Sequence, residues 1–315
     1  MAGQLALIYN NISVTLLAGL PILRSIPISI SGMKGTIPTA FANLAKGLSM
    51  GDGLAKTMAK YPRVFNQIDV LVVEAGEISG NLPECLKLLS NWHSFCDRLR
   101  HIVISKMMFP FVLIHLAVVL NHAPALFLAQ INMTQFLFRV AATLTFFYSP
   151  AVVIFAAVSL TPKTGFFRRR VDCLALRIPI LGQAVRQLAL NRYCRVFQML
   201  YHAGLPIVQC AKKASENTGN VFVTEMLAGG AASSISGNPV SEGFSHKLPD
   251  EFIESWQIGE ETGELDNVVR RLAESSAEVS ERIFSELGQW VPKLSYFFVC
   301  LYMVASIFKN FAILR

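Results

Sequence analysis

The sequence predicts an all-α integral membrane protein, with two homologous cytoplasmic helical bundles and three transmembrane helices. Three observations carry this reading. Two motifs recur in the same order along the chain, the apolar residues after each motif step by three and four, and three long runs contain no Asp, Glu, Lys or Arg.

The recurrence begins with AGLPI, at 18–22 (Ala18, Gly19, Leu20, Pro21) and again at 203–207 (Ala203, Gly204, Leu205, Pro206). Each copy is followed by a Gly-Glu-x-[Ser/Thr]-Gly-x-Leu frame, GEISGNL at 76–82 and GEETGEL at 259–265. Between the motifs, the glycine pair Gly47/Gly53 is expected to match Gly237/Gly243. Each half then enters an apolar run with one early proline, Pro110 and Pro292. Ordered matches of this kind indicate a duplicated unit, without the short tandem period of a solenoid. The expected divisions are a first bundle at 1–105, two membrane helices with a short outer loop at 106–162, a second bundle at 163–288, and a third membrane helix with tail at 289–315.

Both units read as helical. Leu86, Leu89, Trp92, Cys96, Leu99 and Val103 line one helical face, and Leu265, Val268, Val269, Leu272, Ala273, Val279 and Ile283 repeat the pattern. AGLPI uses Gly to end a first helix and Pro to start the next, an architectural role. In the Gly-Glu frame, Gly80 suits the left-handed end of one helix, Asn81 can cap the next, and Pro83 and Glu84 fit a first turn. Gly263 takes the matching part, with Asp266 near the new N-terminus. Gly76 and Gly259 open the two frames. The stretch AGGAASSISGNP in the second unit is expected to be a weak helix former.

Glu77 and Glu260 need a separate reason. Each falls in the last turn of a helix, where a negative charge opposes the macrodipole at about 0.3–1 kcal/mol. Either a neighbouring helix N-terminus or an Arg supplies hydrogen bonds to them, or the corner is exposed and docks a partner or a second copy. General acid chemistry is disfavoured, because no nucleophile, His or phosphate-binding loop accompanies them. The chain carries no P-loop, dinucleotide fingerprint, zinc-protease motif or serine elbow, so neither an enzyme nor a cofactor is expected.

The composition is 53 % hydrophobic and only 16 % charged, which points to the membrane. The runs 107–129 and 140–160 are long enough to cross about 30 Å of hydrocarbon, and 294–308 completes a third span if Lys293 snorkels. Arg98, Arg100 and Lys106 precede the first span, and Lys163, Arg168, Arg169 and Arg170 follow the second, while 121–135 has no Lys or Arg. Positive charge marks the cytoplasmic side, so both units are expected to face the cytoplasm. Lys309 and Arg315 run against this rule at the C-terminus. The net charge of +7 fits contact with an anionic leaflet, and the cations sit at span ends without the interleaved aromatics of a nucleic-acid surface. The first residues lack the basic region of a cleaved signal. The six cysteines are scattered without C-x-x-C, as expected of reduced cytosolic thiols, and His93 with Cys96 makes a poor metal site. The rival class is a small oligomeric transporter or channel, whose best support is His115 in mid-span.

Taken together, two units that each carry an AGLPI-type start and a Gly-Glu corner, with two spans between them and one after, resemble the inner-membrane platform proteins of bacterial type II secretion systems and type IV pili. The resemblance covers nearly the whole chain. It implies six-helix bundles, a multi-pass position in the bacterial inner membrane and a homo-oligomer. It further implies a scaffold that couples a cytoplasmic hexameric ATPase to assembly of a pilin or pseudopilin fibre, alongside other inner-membrane assembly proteins. It assigns interaction-motif residues at Ala18, Gly19, Leu20, Pro21, Gly76, Glu77 and Gly80, and at Ala203, Gly204, Leu205, Pro206, Gly259, Glu260 and Gly263, and no catalytic residue. Most members carry an extra N-terminal segment, so contacts made through it are expected to differ here.

Overall fold

The computed structural model describes residues 2–128, 130–160, 170, 173, 176 and 179–313, and among these every regular element is helical. Lys163, Arg168, Arg169 and Arg315, which carry part of the orientation argument, lie outside the described residues. The first repeat contains α1 (Ala2–Leu17), α2 (Ile22–Ser29), α3 (Thr36–Ser49), α4 (Leu54–Met58), α5 (Gln67–Ser79) and the start of α6 (Leu82–Phe127). After α7 (Met133–Leu160) the succession recurs as α8 (Pro179–His202), α9 (Ile207–Glu216), α10 (Val221–Ile235), a 3-10 turn at Val240–Gly243, α11 (Asp250–Thr262) and α12 (Leu265–Ile313).

The chain divides into two compact units. One joins Met1–Leu99 with Gln183–Ser280, and the other joins Arg100–Gly182 with Glu281–Arg315. In the first unit a single hydrophobic cluster runs through both repeats. α1 contributes Leu5, Ile8, Tyr9 and Ile12, whose spacing of three and four places them on one buried face. Around Tyr9 the first repeat packs edge-on aromatic rings, Tyr9 on Phe41 and Phe41 on Phe65. The second repeat gathers Tyr193, Phe197, Phe244 and Phe252 about the fully buried Trp256.

Matching helices are tied by matching hydrogen bonds. Ser90 Oγ donates to the Ala6 carbonyl at 2.7 Å, joining α6 to α1. In the second repeat Asn191 Nδ2 donates to the Ala273 carbonyl at 2.5 Å, joining α8 to α12. The contact is the same, but the donor has moved to the other helix. Each helical carbonyl has a second lone pair open to a side-chain donor, so donor and acceptor exchanged helices while the crossing stayed fixed.

The stretch expected to be a weak helix former is helical as α10. Its Gly229 and Gly230 abut Gly243 and Val240, so close backbone approach compensates the low propensity of glycine. Asn220 starts the helix by accepting from Phe222 N at 3.0 Å and Val223 N at 3.2 Å.

Among the described residues one helix, Leu82–Phe127, is long and apolar enough to cross a membrane, and its part beyond Leu99 belongs to the second unit. The other two charge-free runs are helical within α7 and α12. Polar side chains join these helices. Asn121 Nδ2 donates to Tyr302 Oη at 2.8 Å, and His122 Nε2 lies 3.1 Å from Thr143 Oγ1. His115 Nδ1 lies 2.8 Å from the Phe111 carbonyl and 3.3 Å from Tyr148 Oη. These contacts tie α6 to α7 and to α12. The Lys293 ammonium stands 5.0 Å over the Trp290 ring.

All six cysteines are free thiols. Burial pushes the Cys85 thiol up to about 11 and the Cys210 thiol up to about 12, and raises that of Cys194 as well. Because the thiolate is the reactive form, these three should resist alkylation by iodoacetamide at pH 8 until the chain is denatured. Peptide mass spectrometry before and after denaturation checks this, and prompt labelling at those positions would contradict the packing described.

Candidate functional site

The repeated motifs build two kinds of turn, each made twice. In AGLPI the glycine is left-handed, with φ of 83° at Gly19 and 82° at Gly204. Leu20 N donates to the Thr15 carbonyl and Gly19 N to the Leu16 carbonyl; Leu205 N and Gly204 N do the same to Leu200 and Tyr201. This Schellman pattern satisfies the last carbonyls of α1 and α8. Pro21 and Pro206 stand one residue before α2 and α9, with extended backbone that redirects the chain. Ala203 is buried at 2 % exposure.

The Gly-Glu frame builds a helical hairpin. Gly80 and Gly263 both have φ of 75° and end α5 and α11. Gly76 and Gly259 serve a different need. A methyl on Gly76 would lie 3.0 Å from Cys85 Sγ and 3.2 Å from Leu82 Cα. A methyl on Gly259 would lie 3.0 Å from Val268 Cβ and 3.3 Å from Leu265 Cα. The two helices of each hairpin therefore touch through glycine, with Cys85 and Val268 in matched places.

The glutamates of the frame cross to another element. Glu77 Oε1 accepts from Leu54 N at 2.6 Å and Oε2 from Ala55 N at 2.9 Å, at the N-terminus of α4. Glu260 Oε1 accepts from Val240 N at 2.6 Å, and Oε2 from Ser241 N at 3.1 Å and Ser241 Oγ at 2.5 Å. Neither Gly53 nor Pro239, the residues before these turns, offers a side-chain cap. The glutamate supplies it from 23 residues away in the first repeat and 20 in the second. Hydrogen bonds to a charged group contribute about 1.5–3 kcal/mol each, enough to outweigh the unfavourable position in the glutamate's own helix.

These contacts correct the expected glycine pairing. Leu54 and Val240 take matched places, so Gly51 matches Gly237, both left-handed at φ of 87° and 81°. Gly53 matches Pro239. Gly47 and Gly243 are glycines for local packing, the first against Thr57 and the second against Gly229. Counting glycines along the chain missed this because the two kinds of glycine look alike in sequence.

The corner of the first repeat also meets the AGLPI turn of the second. His202 Nε2 bonds Glu84 Oε2, and Asn81 Nδ2 reaches the His202 carbonyl at 3.4 Å and Glu84 Oε2 at 3.2 Å. His202 Nδ1 lies 3.8 Å from Asp266 Oδ1. The hydrogen bond from His202, and then that from Asn81, hold the Glu84 carboxyl below its ordinary range. Sequence reasoning overlooked His202. The available signal was that the residue before AGLPI is Leu17 in one copy and His202 in the other. His93, weighed as a metal ligand with Cys96, pairs with Asp69 Oδ1 at 2.9 Å, with both side chains buried.

Removing a corner glutamate leaves two backbone donors without their acceptor. Glu77→Ala and Glu260→Ala should each lower stability by about 1–3 kcal/mol, with Glu→Gln milder because an amide oxygen still accepts. Gly76→Leu or Gly259→Leu should cost a similar about 1–3 kcal/mol through overpacking of the hairpin. Thermal unfolding of the detergent-solubilised chain reads both, and unchanged midpoints would refute the caps and the close crossing.

The comparisons with known proteins agree with this doubled architecture. The family model described as type II secretion system (T2SS), protein F, matches residues 8–127 and again 193–307, once on each repeat. The type II secretion system protein F of Aeromonas hydrophila is 25 % identical, over 98 % of this chain and 85 % of its own length. The type IV pilus assembly protein PilC of Thermus thermophilus is 28 % identical over 90 % and 75 %. The type IV pilus assembly protein TapC of Aeromonas hydrophila is 23 % identical over 86 % and 70 %. With a corner and its apolar continuation matched in both copies, the chain belongs to the type II secretion system protein F family.

Proposed function

We propose that the chain is a multi-pass inner-membrane platform that couples a cytoplasmic hexameric ATPase to assembly of a pilin or pseudopilin fibre. One observation carries this reading. α6 and α12, 46 and 49 residues long, each begin at a Gly-Glu corner and continue without a break into a charge-free run. A helix of that length spans roughly 70 Å at 1.5 Å per residue. A push or turn applied at either corner is thus delivered along one helix, which is what a mechanical adaptor requires.

In this reading the bundles at 1–105 and 163–288 face the cytoplasm, and helices within 106–162 and 289–315 make three spans. The Schellman turns and glutamate caps keep each corner fixed, so load passes along the helices before the bundle yields. Family membership and the names of the relatives, some from secretion and some from pilus assembly, support the platform role. The sequence carries no P-loop, and in this reading the energy of ATP hydrolysis enters through a partner. The chain acts as a homo-oligomer among other inner-membrane assembly proteins, with its juxtamembrane cations on anionic lipid.

The test is to tag the chain in its native bacterium, solubilise membranes gently and identify co-purifying proteins by mass spectrometry. Recovery of a secretion-type ATPase with pseudopilins or pilins is expected, and which of the two is found names the system. A preparation of this chain alone that supports solute flux on reconstitution, lost on His115→Ala, would overturn the platform reading in favour of a transporter.

A further inference from the structure

Three helix ends meet at one imidazole. His202 is the last residue of α8, and Glu84 and Asp266 stand in the first turns of α6 and α12. His202 therefore lies between the starts of the two long helices. Its Nε2 bonds Glu84 Oε2, and Asn81 Nδ2 reaches its backbone carbonyl at 3.4 Å. Its Nδ1 faces Asp266 Oδ1 across 3.8 Å, beyond hydrogen-bond reach. That oxygen is buried and has no hydrogen-bond partner among the described residues. In the first repeat the matched places of His202 and Asp266 are Leu17 and Pro83, neither of which takes up a proton.

Counting donors gives the protonation state that fits these distances. A carboxylate only accepts, so the bond to Glu84 uses the one N–H of a neutral imidazole, on Nε2. Nδ1 is then a bare acceptor facing a bare carboxylate oxygen, and the two stand apart. The hydrogen bond from His202, and then that from Asn81, holds the Glu84 carboxyl below its ordinary range, so Glu84 stays charged where an imidazole titrates. A proton taken from solvent onto Nδ1 makes a second donor, aimed at the unpartnered oxygen. The C-terminal end of α8 favours the resulting positive charge, as the N-terminal end of α12 favours the negative charge of Asp266. α5 approaches this turn through Ser79, whose Cβ would lie 3.9 Å from a methyl on Gly204, and its Glu77 is held by α4. The carboxylates that face the imidazole are thus Glu84 from α6 and Asp266 from α12.

We infer that His202 is a proton-operated latch: with one proton on its imidazole it holds the start of α6 alone, and with two it ties the starts of α6 and α12 together. The second tie is made by the protonated form. It is therefore present below the ordinary histidine range, near about pH 6.5, and is lost as the pH rises through that range. The consequence for function rests on the platform reading, in which these two helices deliver load to the membrane. They move together when both starts are tied and separately when one is free.

The experiment is a double-mutant cycle on the full detergent-solubilised chain, read as the thermal unfolding midpoint at pH 5.5 and at pH 8. Asp266→Ala is made in the unsubstituted chain and in His202→Gln, which keeps an N–H donor for Glu84. At pH 5.5 Asp266→Ala should lower the midpoint about 2 °C further in the chain that keeps His202 than in His202→Gln. At pH 8 the two decrements should be equal, because Nδ1 then carries no proton. Comparing the two backgrounds cancels the loss of negative charge at the start of α12. The same cycle with Glu84→Ala should show coupling to His202 at both pH values. Protection of Cys85, Cys194 and Cys210 from iodoacetamide shows that each variant is folded. Absence of coupling between His202 and Asp266 at pH 5.5, or equal coupling at both pH values, would overturn the inference. The cycle needs no partner protein, so its outcome is independent of whether an ATPase co-purifies with the tagged chain.

Discussion

A carboxylate in the last turn of a helix opposes the partial negative charge of that helix, and this chain makes the arrangement twice. Glu77 and Glu260 are stable there because their oxygens meet the first backbone N–H groups of α4 and of the 3-10 turn. The short elements depend on the glutamates in turn. A helix of five residues has no reserve of internal hydrogen bonds, and its preceding glycine cannot cap it. Each glutamate thus fixes the distance between the corner and the middle of its repeat, and the hairpin geometry on which α6 and α12 are aimed follows from it.

That constraint explains the composition of the motif around it. The first glycine of the frame lets the hairpin helices touch, the glutamate reaches away from the crossing, and the second glycine turns the chain through a left-handed residue. Three residues with three separate physical duties occupy five positions. A frame so constrained is conspicuous in a single sequence, and it stays recognisable in both repeats although most of the residues around it differ.

Duplication also frees the copies to diverge where the scaffold does not depend on them. The buried Asp69–His93 pair of the first repeat is replaced in matched places by Phe252 and Ser276 in the second. Trp92 gives way to Ser275, and Leu17 to His202, which reaches across to Glu84. One backbone plan therefore supports a filled face and an open one, and a corner that is linked to the neighbouring repeat.

Local pattern was enough for the helices, the repeat, the hairpin corners and the left-handed glycines, because these depend on residues within a turn or two of one another. Apolar spacing of three and four makes a face, and a Gly after the last periodic residue makes a stop. The sequence by itself also determined the family, through two corners in order. It did not determine which group each glutamate holds, that Gly51 and not Gly47 matches Gly237, or that glycine-rich α10 is a helix. Those outcomes depend on atoms brought together from 20 or more residues away, or on backbone approach across helices. Tertiary structure alone decided them, because a charged side chain or a low-propensity helix takes its stability from whatever partner the packing delivers.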